Sequence, residues 1–201
     1  MRMLDLFCGR FGWSKAFAER GWECIGIDIA SPPNEKPANC IYLQWDIAFL
    51  NDLRDYKADF ICASSPCEQF STLLNFRPPV PYPELGIKLF NHTRAICEAS
   101  GVPYVMENVA GAGKHVGRAV RHCGPYYLWG SGVPPILPQG ISKGMTALAM
   151  GLREHKGKPG WDVRHGKKGQ TPTAHVATIP HELSACVADY AERLLEMRAT
   201  A

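Results

Sequence analysis

Over its first 130 residues the chain alternates short apolar runs with amphipathic segments, and this limits the folds open to it more than any other feature. Met3–Phe7, Glu23–Asp28, Cys40–Gln44, Asp59–Ser64 and Tyr104–Glu107 read as strands, too short and too apolar for free helices. Between them lie helical stretches: Ser14–Arg20, which stops at Gly21; a short Ile47–Arg54 with Asp46 near its start; and Glu84–Ser100, ended by Gly101-Val-Pro. The last carries Leu85, Leu89, Thr93, Ile96 and Cys97 on one stripe. Tyr126–Trp129 reads as a sixth strand. Strands that alternate with helices, with no hairpin signal, predict a parallel α/β sheet covered on both faces. Such sheets bind ligands beyond the carboxyl ends of their strands, where the strand order reverses.

Beyond Gly130 the pattern fades. Ser131–Gln139 is rich in Pro and Gly, and residues 140–170 are basic and weakly patterned, with one short helix expected at Met145–Arg153. The chain closes with a helix over Pro180–Arg198, with Pro180 in its first turn and a core stripe of Leu183, Val187, Tyr190 and Leu194. At 201 residues, with 46% hydrophobic and 20% charged, one domain with a proper core is expected. The net charge of +3 says little about partners. Its distribution says more: Lys143–Lys168 holds seven basic residues against two acidic ones, which fits either a solvated loop or a phosphate-contacting patch. The eight cysteines form no Cys-x-x-Cys pair and lie mostly in apolar runs, the usage of buried thiols in a reducing compartment, so neither disulfides nor a metal site is expected. Asp5 interrupts the N-terminus too early for a signal peptide, and no stretch approaches about 18 uninterrupted apolar residues. A cytoplasmic protein without a membrane partner is the expectation.

Three strand ends carry the chemistry of a nucleoside pocket. After the first strand, Asp5-Leu-Phe-Cys-Gly-Arg-Phe-Gly puts glycines where the chain turns sharply into a helix whose N-terminus points at the same place. The second strand ends in Asp28, about 20 residues further on, where an acid accepts hydrogen bonds from ribose hydroxyls. Asp46 ends the third strand in the same way, though capping a helix is an equally good use of it. The fourth strand runs into Ser64-Ser65-Pro66-Cys67-Glu68-Gln69-Phe70-Ser71. A lone cysteine is more often a packed small hydrophobe than a nucleophile, but Cys67 follows a strand end and a stiffening proline and faces the same pocket. The fifth strand ends in Glu107-Asn108-Val109, a carboxylate that needs a partner: a bridge to Arg118 or Arg121, or the edge of a base.

These stretches resemble the cytosine-C5 DNA methyltransferases. Asp5-Leu-Phe-Cys-Gly is similar to the opening of their cofactor motif, Ser65-Pro-Cys-Glu-Gln-Phe-Ser to their Pro-Cys-Gln-x-Phe-Ser loop, and Glu107-Asn-Val to their Glu-Asn-Val motif. The resemblance covers residues 1–130 and resumes at Ala177–Tyr190, which is similar to the final motif. The compact size resembles members found in phages and prophages. The resemblance implies a Rossmann-like class I S-adenosylmethionine-dependent methyltransferase fold over 1–201, with a cofactor-binding and catalytic core at 1–130, a reduced basic insert at 131–176 and a returning helix at 177–201. It implies methyl transfer from S-adenosyl-L-methionine to carbon 5 of a flipped-out cytosine in double-stranded DNA, through a covalent adduct of Cys67 at C6. The catalytic residues it implies are Cys67, Glu107, Pro66 and Asn108. The cofactor would lie against Asp5, Phe7, Gly9, Arg10, Phe11, Gly12, Asp28, Ile29, Asp46, Ile47 and Thr178. DNA would meet Ser71, Arg118, Arg121, Lys156, Lys158, Arg164, Lys167 and Lys168.

Four departures qualify the resemblance. The family's Gly-x-Gly-Gly turn is Gly9-Arg10-Phe11-Gly12, with Phe11 expected to stack on the pocket or narrow it and Arg10 to face solvent. Glu68 replaces a Gln next to Cys67, and a like charge beside a thiolate raises its pKa unless it turns away. The Gln-x-Arg-x-Arg motif is absent, leaving Arg118 and Arg121 as partial substitutes. Only residues 131–177 separate Gly130 from Thr178, so relaxed sequence specificity, a homodimer or a partner subunit is expected. The alternatives are a catalytically silent DNA- or cofactor-binding regulator, the same chemistry on RNA, or a modified S-adenosylmethionine donor.

Overall fold

The computed structural model describes residues 1–67, 69–70, 83–141 and 179–200. The expected Met145–Arg153 helix, Glu68, Ser71, Thr178 and the Lys143–Lys168 cluster with Lys156, Lys158, Arg164, Lys167 and Lys168 lie outside these residues. The elements are β1 (Arg2–Leu6), α1 (Ser14–Glu19), β2 (Glu23–Asp28), β3 (Cys40–Gln44), 3₁₀ turns at Ile47–Phe49 and Arg54–Tyr56, and β4 (Phe60–Ala63). They continue with α2 (Pro83–Ser100), β5 (Tyr104–Asn108), a 3₁₀ turn at Ala110–Ala112, α3 (Gly113–Val116), β6 (Arg121–Cys123), β7 (Tyr126–Trp129) and a final helix α4 (His181–Ala199).

The strands form one seven-stranded sheet in the order β3-β2-β1-β4-β5-β7-β6. β1 pairs in parallel with both β2 and β4, and β4 with β5. The order therefore reverses between β1 and β4, the place where sheets of this kind bind ligands. Alternating side chains send each strand to both faces. Met3, Cys24, Phe60, Val105 and Leu128 pack with residues of α1 and α4, whereas Leu4, Ile27, Ile61, Met106 and Trp129 pack with α2 and the 3₁₀ turns. Each such fully buried large side chain contributes about 1.5–3 kcal/mol. The second layer stops short of β3, leaving Ile41, Leu43 and Trp45 47%, 37% and 56% exposed.

Several expectations need correction. The sheet contains a hairpin: β7 runs antiparallel to β5 and β6 antiparallel to β7, joined at Gly124, whose φ is +55°. The Gly124-Pro125 dipeptide is the signal that marks it. The Ile47–Arg54 helix is two 3₁₀ turns, because Asp46 accepts from the Ala48 N–H at 2.9 Å and Asp52 from the Arg54 N–H at 2.9 Å, each starting a separate turn. In α2 the inward stripe runs through Phe90, Thr93, Ile96 and Cys97, and Leu85 is exposed. Pro180 is the residue before α4, not within it.

One packing arrangement sets the shape of the turn after β1. Phe11 has φ +60°, a left-handed conformation rarely held by an aromatic residue, at a cost of about 1–3 kcal/mol. Burial of its ring offsets this: Phe11 is fully buried and meets Tyr42 edge-on with centroids 6.0 Å apart. The space exists because β2 has Gly26 there. A Cβ at that position would come within 2.5 Å of the Phe11 ring and 2.7 Å of Cys8 Sγ. Gly26→Ala is expected to destabilise the fold by about 1–3 kcal/mol, seen as a lower urea midpoint at unchanged slope.

Candidate active site at the carboxyl ends of the strands

The turn after β1 is organised by two carboxylates. Asp5, fully buried near the carboxyl end of β1, accepts from the Ser14 N–H at 3.2 Å and from Ser14 Oγ at 2.6 Å, fixing the start of α1. Its other oxygen, Oδ1, is buried without a hydrogen-bond partner. Burial raises the Asp5 carboxyl from 3.8 to about 7, against the two Ser14 hydrogen bonds, which lower it. Asp28, at the end of β2, accepts from the Gly9 N–H through Oδ2 at 2.9 Å and from the Ala30 N–H through Oδ1 at 2.9 Å. Asp46 serves as a cap, as the alternative reading of its position had it, and Ile47 is buried in the core. Gly9 and Arg10 are exposed, Phe7 is half-buried with φ +60°, and Ile29 is 65% exposed beside Asp28. The Phe11 ring turns into the core, so its backbone is what remains for the outer side of the turn. Gly12 lies against the start of α4: a Cβ there would be 3.0 Å from the Ile179 nitrogen. That contact brings the residue following Thr178 to the glycine turn. Two acids at adjacent strand ends to accept, an exposed aliphatic side chain between them and an open glycine turn form a surface suited to a nucleoside with a charged tail.

The turn carrying Cys67 is held from four sides. Ser64 Oγ accepts from Trp13 Nε1 at 2.9 Å, which ties the end of β4 to the glycine turn. The Asn108 side-chain amide donates to the Ser65 carbonyl at 3.0 Å and to Ser65 Oγ at 3.1 Å, which ties it to the end of β5. Gln69 Oε1 accepts from the Gly86 N–H in the first turn of α2, a side-chain cap supplied from outside the helix. Phe70 is buried, its ring 5.8 Å from that of His115, and a Cβ on Gly111 would collide with the Phe70 carbonyl. The Phe70 N–H closes the turn on the Cys67 carbonyl at 3.0 Å. Pro66 is exposed and Cys67 half-buried. Six of the eight thiols are buried, and burial raises the Cys97 thiol from 9.0 to about 12.

Glu107 is 7% exposed and lies on the α1/α4 face of β5. Ala63 pairs with Met106, so the chain leaves β4 level with Glu107. Leu128 stands between Glu107 and Arg121 in one row across β5, β7 and β6. Tyr126 is raised from 10.0 to about 12, first by burial and then by the Glu107 charge, so the phenol remains a neutral donor beside the carboxylate. Arg118 and Arg121 are exposed at the sheet edge. Among the described residues no cluster of three or more His, Cys, Asp or Glu is placed to hold a metal ion, and no helix is long and apolar enough to cross a membrane. Trp13, Ser64, Ser65 and Gln69 had no assigned role from sequence. Ser64, Ser65 and Gln69 lie inside the Cys67 motif, and their adjacency to Pro66-Cys67 is the signal that points to them.

The strand order, with an antiparallel strand beside β5, is that of the Rossmann-like class I methyltransferase fold. No protein-family model and no curated protein sequence matches the chain. Solved structures similar to parts of it include a DNMT2 variant from Spodoptera frugiperda, at 21% identity and a TM-score of 0.40, over 56% of this chain and 37% of that one. The glycopeptide N-methyltransferase MtfA matches at 15% identity and TM-score 0.32, over 54% and 46%. A variant of the 16S rRNA (adenine(1408)-N(1))-methyltransferase from Catenulisporales acidiphilia, with its cosubstrate SAM, matches at 16% and 0.31, over 76% and 70%. The chain thus spans less than half of the first two. It is the strand order, not these partial likenesses, that defines the fold.

Two outcomes are expected from this geometry. Asp5 holds a proton in the fold between about pH 4 and pH 7 that the unfolded chain has lost, so stability falls as pH rises through that window and levels above it. Asp5→Asn should flatten that slope in urea melts recorded from pH 4 to 8. Asn108→Ala leaves the Ser65 carbonyl without its donor and is expected to cost about 1–3 kcal/mol, measured by thermal or urea unfolding.

Proposed function

We propose that the chain is an S-adenosyl-L-methionine-dependent methyltransferase acting on carbon 5 of cytosine in nucleic acid, with DNA as the substrate its motifs favour and Cys67 as nucleophile. The observation that carries this reading is the clasp between Asn108 and Ser65, which ties the turn bearing Cys67 to the strand end bearing Glu107. The Cys67 turn leaves β4 beside the β1 turn at the switch point of the sheet, and Glu107 stands on the next strand, β5. A buried carboxylate on a strand end that is tied to the turn bearing a half-buried thiol suits addition to a pyrimidine ring.

The cofactor's residues are those of the β1 turn and the ends of β2 and β3. Asp28 would meet the ribose hydroxyls, Ile29 the face of the adenine, Asp46 and the Ile47 backbone its edge, and the Gly9–Gly12 turn the amino-acid tail, with Thr178 following from the start of α4. S-adenosyl-L-methionine supplies an electrophilic methyl group when bound. Cys67 Sγ adds as thiolate to C6, and the electron pair of the C5–C6 double bond moves onto the ring. Glu107 holds N3 and the 4-amino group and favours a proton at N3 as that charge develops. C5 thereby becomes the nucleophilic carbon. Once the methyl has passed to C5 with cleavage of its bond to the sulfonium sulfur, the C5 proton would go to water, the C5–C6 double bond would re-form and the Cys67 sulfur would leave as thiolate. A paired base cannot reach the site, so the target is extruded or already unpaired, with Pro66 shaping the loop that receives it.

Ser71, Arg118, Arg121 and the cations at Lys156, Lys158, Arg164, Lys167 and Lys168 are proposed to meet the nucleic-acid backbone. The test is covalent trapping on an oligonucleotide containing 5-fluorocytosine, whose fluorine cannot leave as a proton does. With S-adenosylmethionine present, a stable protein–nucleic acid adduct is expected from the wild type and none from Cys67→Ala. An adduct that persists in Cys67→Ala rejects the nucleophile. Glu107→Gln is expected to slow transfer by about a hundredfold or more, and DNA and RNA oligonucleotides in parallel decide the substrate.

A further inference from the structure

The two edges of the sheet carry opposite charge. From Asp28 to Asp59, the segment that builds the β3 edge, six acids face three bases. From Asn108 to Ile141, the segment that builds the β6 edge, there is no Asp or Glu at all, while Lys114, Arg118 and Arg121 are accompanied by His115 and His122. All five of these side chains are exposed. His115 lies over Phe70, three residues from Cys67. Arg121 shares a sheet row with Glu107, and His122 shares one with Asn108, each across β7. Two strand spacings of about 4.8 Å put these edge residues about 10 Å from the strand that bears Glu107.

A second feature of this edge points to bases. The His122 imidazole stacks on the Tyr127 ring, with centroids 4.9 Å apart and planes 15° from parallel. Its Nδ1 lies 3.3 Å from the Gly124 carbonyl, which holds the ring in the hairpin. Tyr127 is packed beneath and His122 is exposed, so the pair presents one flat aromatic face to solvent. An open cavity of about 680 Å³ lies along the same strand, lined by Arg121, His122, Gln139 and Ile141 among others. That falls in the range, roughly 300–1,000 Å³, of clefts that take small ligands. Exposed cations on a segment that contains no acidic residue, beside an exposed aromatic face, suit a single nucleic-acid strand: charge for phosphates and a platform for an unstacked base.

Resting on the reading of the chain as a nucleic-acid methyltransferase, we infer that the α3–β6–β7 edge is the track for the substrate strand, with Lys114, Arg118 and Arg121 against phosphates and the His122–Tyr127 stack receiving an unpaired base that flanks the target. The acidic β3 edge repels the same strand, so the approach is one-sided.

The track is tested by fluorescence anisotropy of the full-length chain with labelled single-stranded and duplex cytosine-containing oligonucleotides, over a range of salt. Arg118→Glu/Arg121→Glu is expected to weaken binding by about tenfold or more and to lower the slope of log affinity against log salt by about 2. Lys36→Glu/Lys57→Glu, the same charge change on the β3 side, is expected to alter affinity less than about twofold. His122→Ala should weaken single-strand binding about threefold or more, and His122→Phe should restore it. Arg118→Gln/Arg121→Gln, a milder change, serves if the reversal unfolds the protein. Equal losses from the two edges, or no loss from either, overturn the track. Wild-type protein that forms the 5-fluorocytosine adduct while its binding ignores the β6 edge overturns the track alone. Edge-dependent binding without an adduct supports the track and overturns the enzymatic reading alone. A wild type that binds no oligonucleotide overturns both.

Discussion

The Asn108 amide, donating at once to the carbonyl and the hydroxyl of Ser65, is the contact on which the candidate site depends. It lies where two parallel strands diverge, at the last point where backbone pairing can hold their loops in register. Past Ala63 and Met106 the ladder ends, and without a cross-link the Cys67 turn and the Glu107 strand end would be positioned only by the loops that follow. Asn suits the task because its side chain offers donors and an acceptor together: while the Nδ2 group grips Ser65, Oδ1 accepts from the Val109 N–H at 2.8 Å and shapes the exit from β5. A fully buried amide with these groups engaged adds rigidity in a low-dielectric setting, where unsatisfied polar groups are costly.

Around that contact the other restraints form a closed circuit. Trp13 binds Ser64, Gly12 abuts Ile179, the Ser184 hydroxyl donates to the Trp13 carbonyl, and Arg20 pairs with Asp189 at 2.6 Å. The glycine turn, the Cys67 turn and α4 therefore brace one another, although their residues come from both ends of the chain. The exposed ion pair adds little to stability on its own. The buried Ser184 and Trp13 contacts carry more, because each satisfies a polar group that water cannot reach.

The sequence was legible where periodicity and chemistry agreed. Strands β1 to β5 stand within a residue or two of their expected limits, because each is a short apolar run closed by a turn residue or a charge. That Asp28, Cys67 and Glu107 fall at or just past strand ends on one side of the sheet follows from parallel strands, which the alternation implies, whereas the pairing order is not contained in it. Strand β6, and with it the hairpin to β7, was hidden because Arg121 and His122 are exposed on an edge and Cys123 alone is buried, so its strand character comes from pairing with β7. The break between the 3₁₀ turns was hidden for a different reason: Asp46 and Asp52 each compete for local N–H groups, an effect that residue-averaged propensity does not register. The direction of the Phe11 ring was hidden too, since a residue in a glycine-type turn reads as facing the ligand until its φ and the gap above Gly26 are known.

That pairing of Phe11 with Gly26 makes two positions, fifteen residues apart in sequence, a single volume shared between a turn and a strand. Neither can be altered alone without loss: a larger residue in the strand displaces the ring, and glycine in the turn relieves backbone strain but leaves a hollow beneath it. Substitutions at the two sites are therefore coupled in sign, tolerable only as an exchange of bulk from one to the other. The turn takes its shape from the sheet beneath it, and the interior of the protein thereby governs the contour its outer surface offers to a bound molecule.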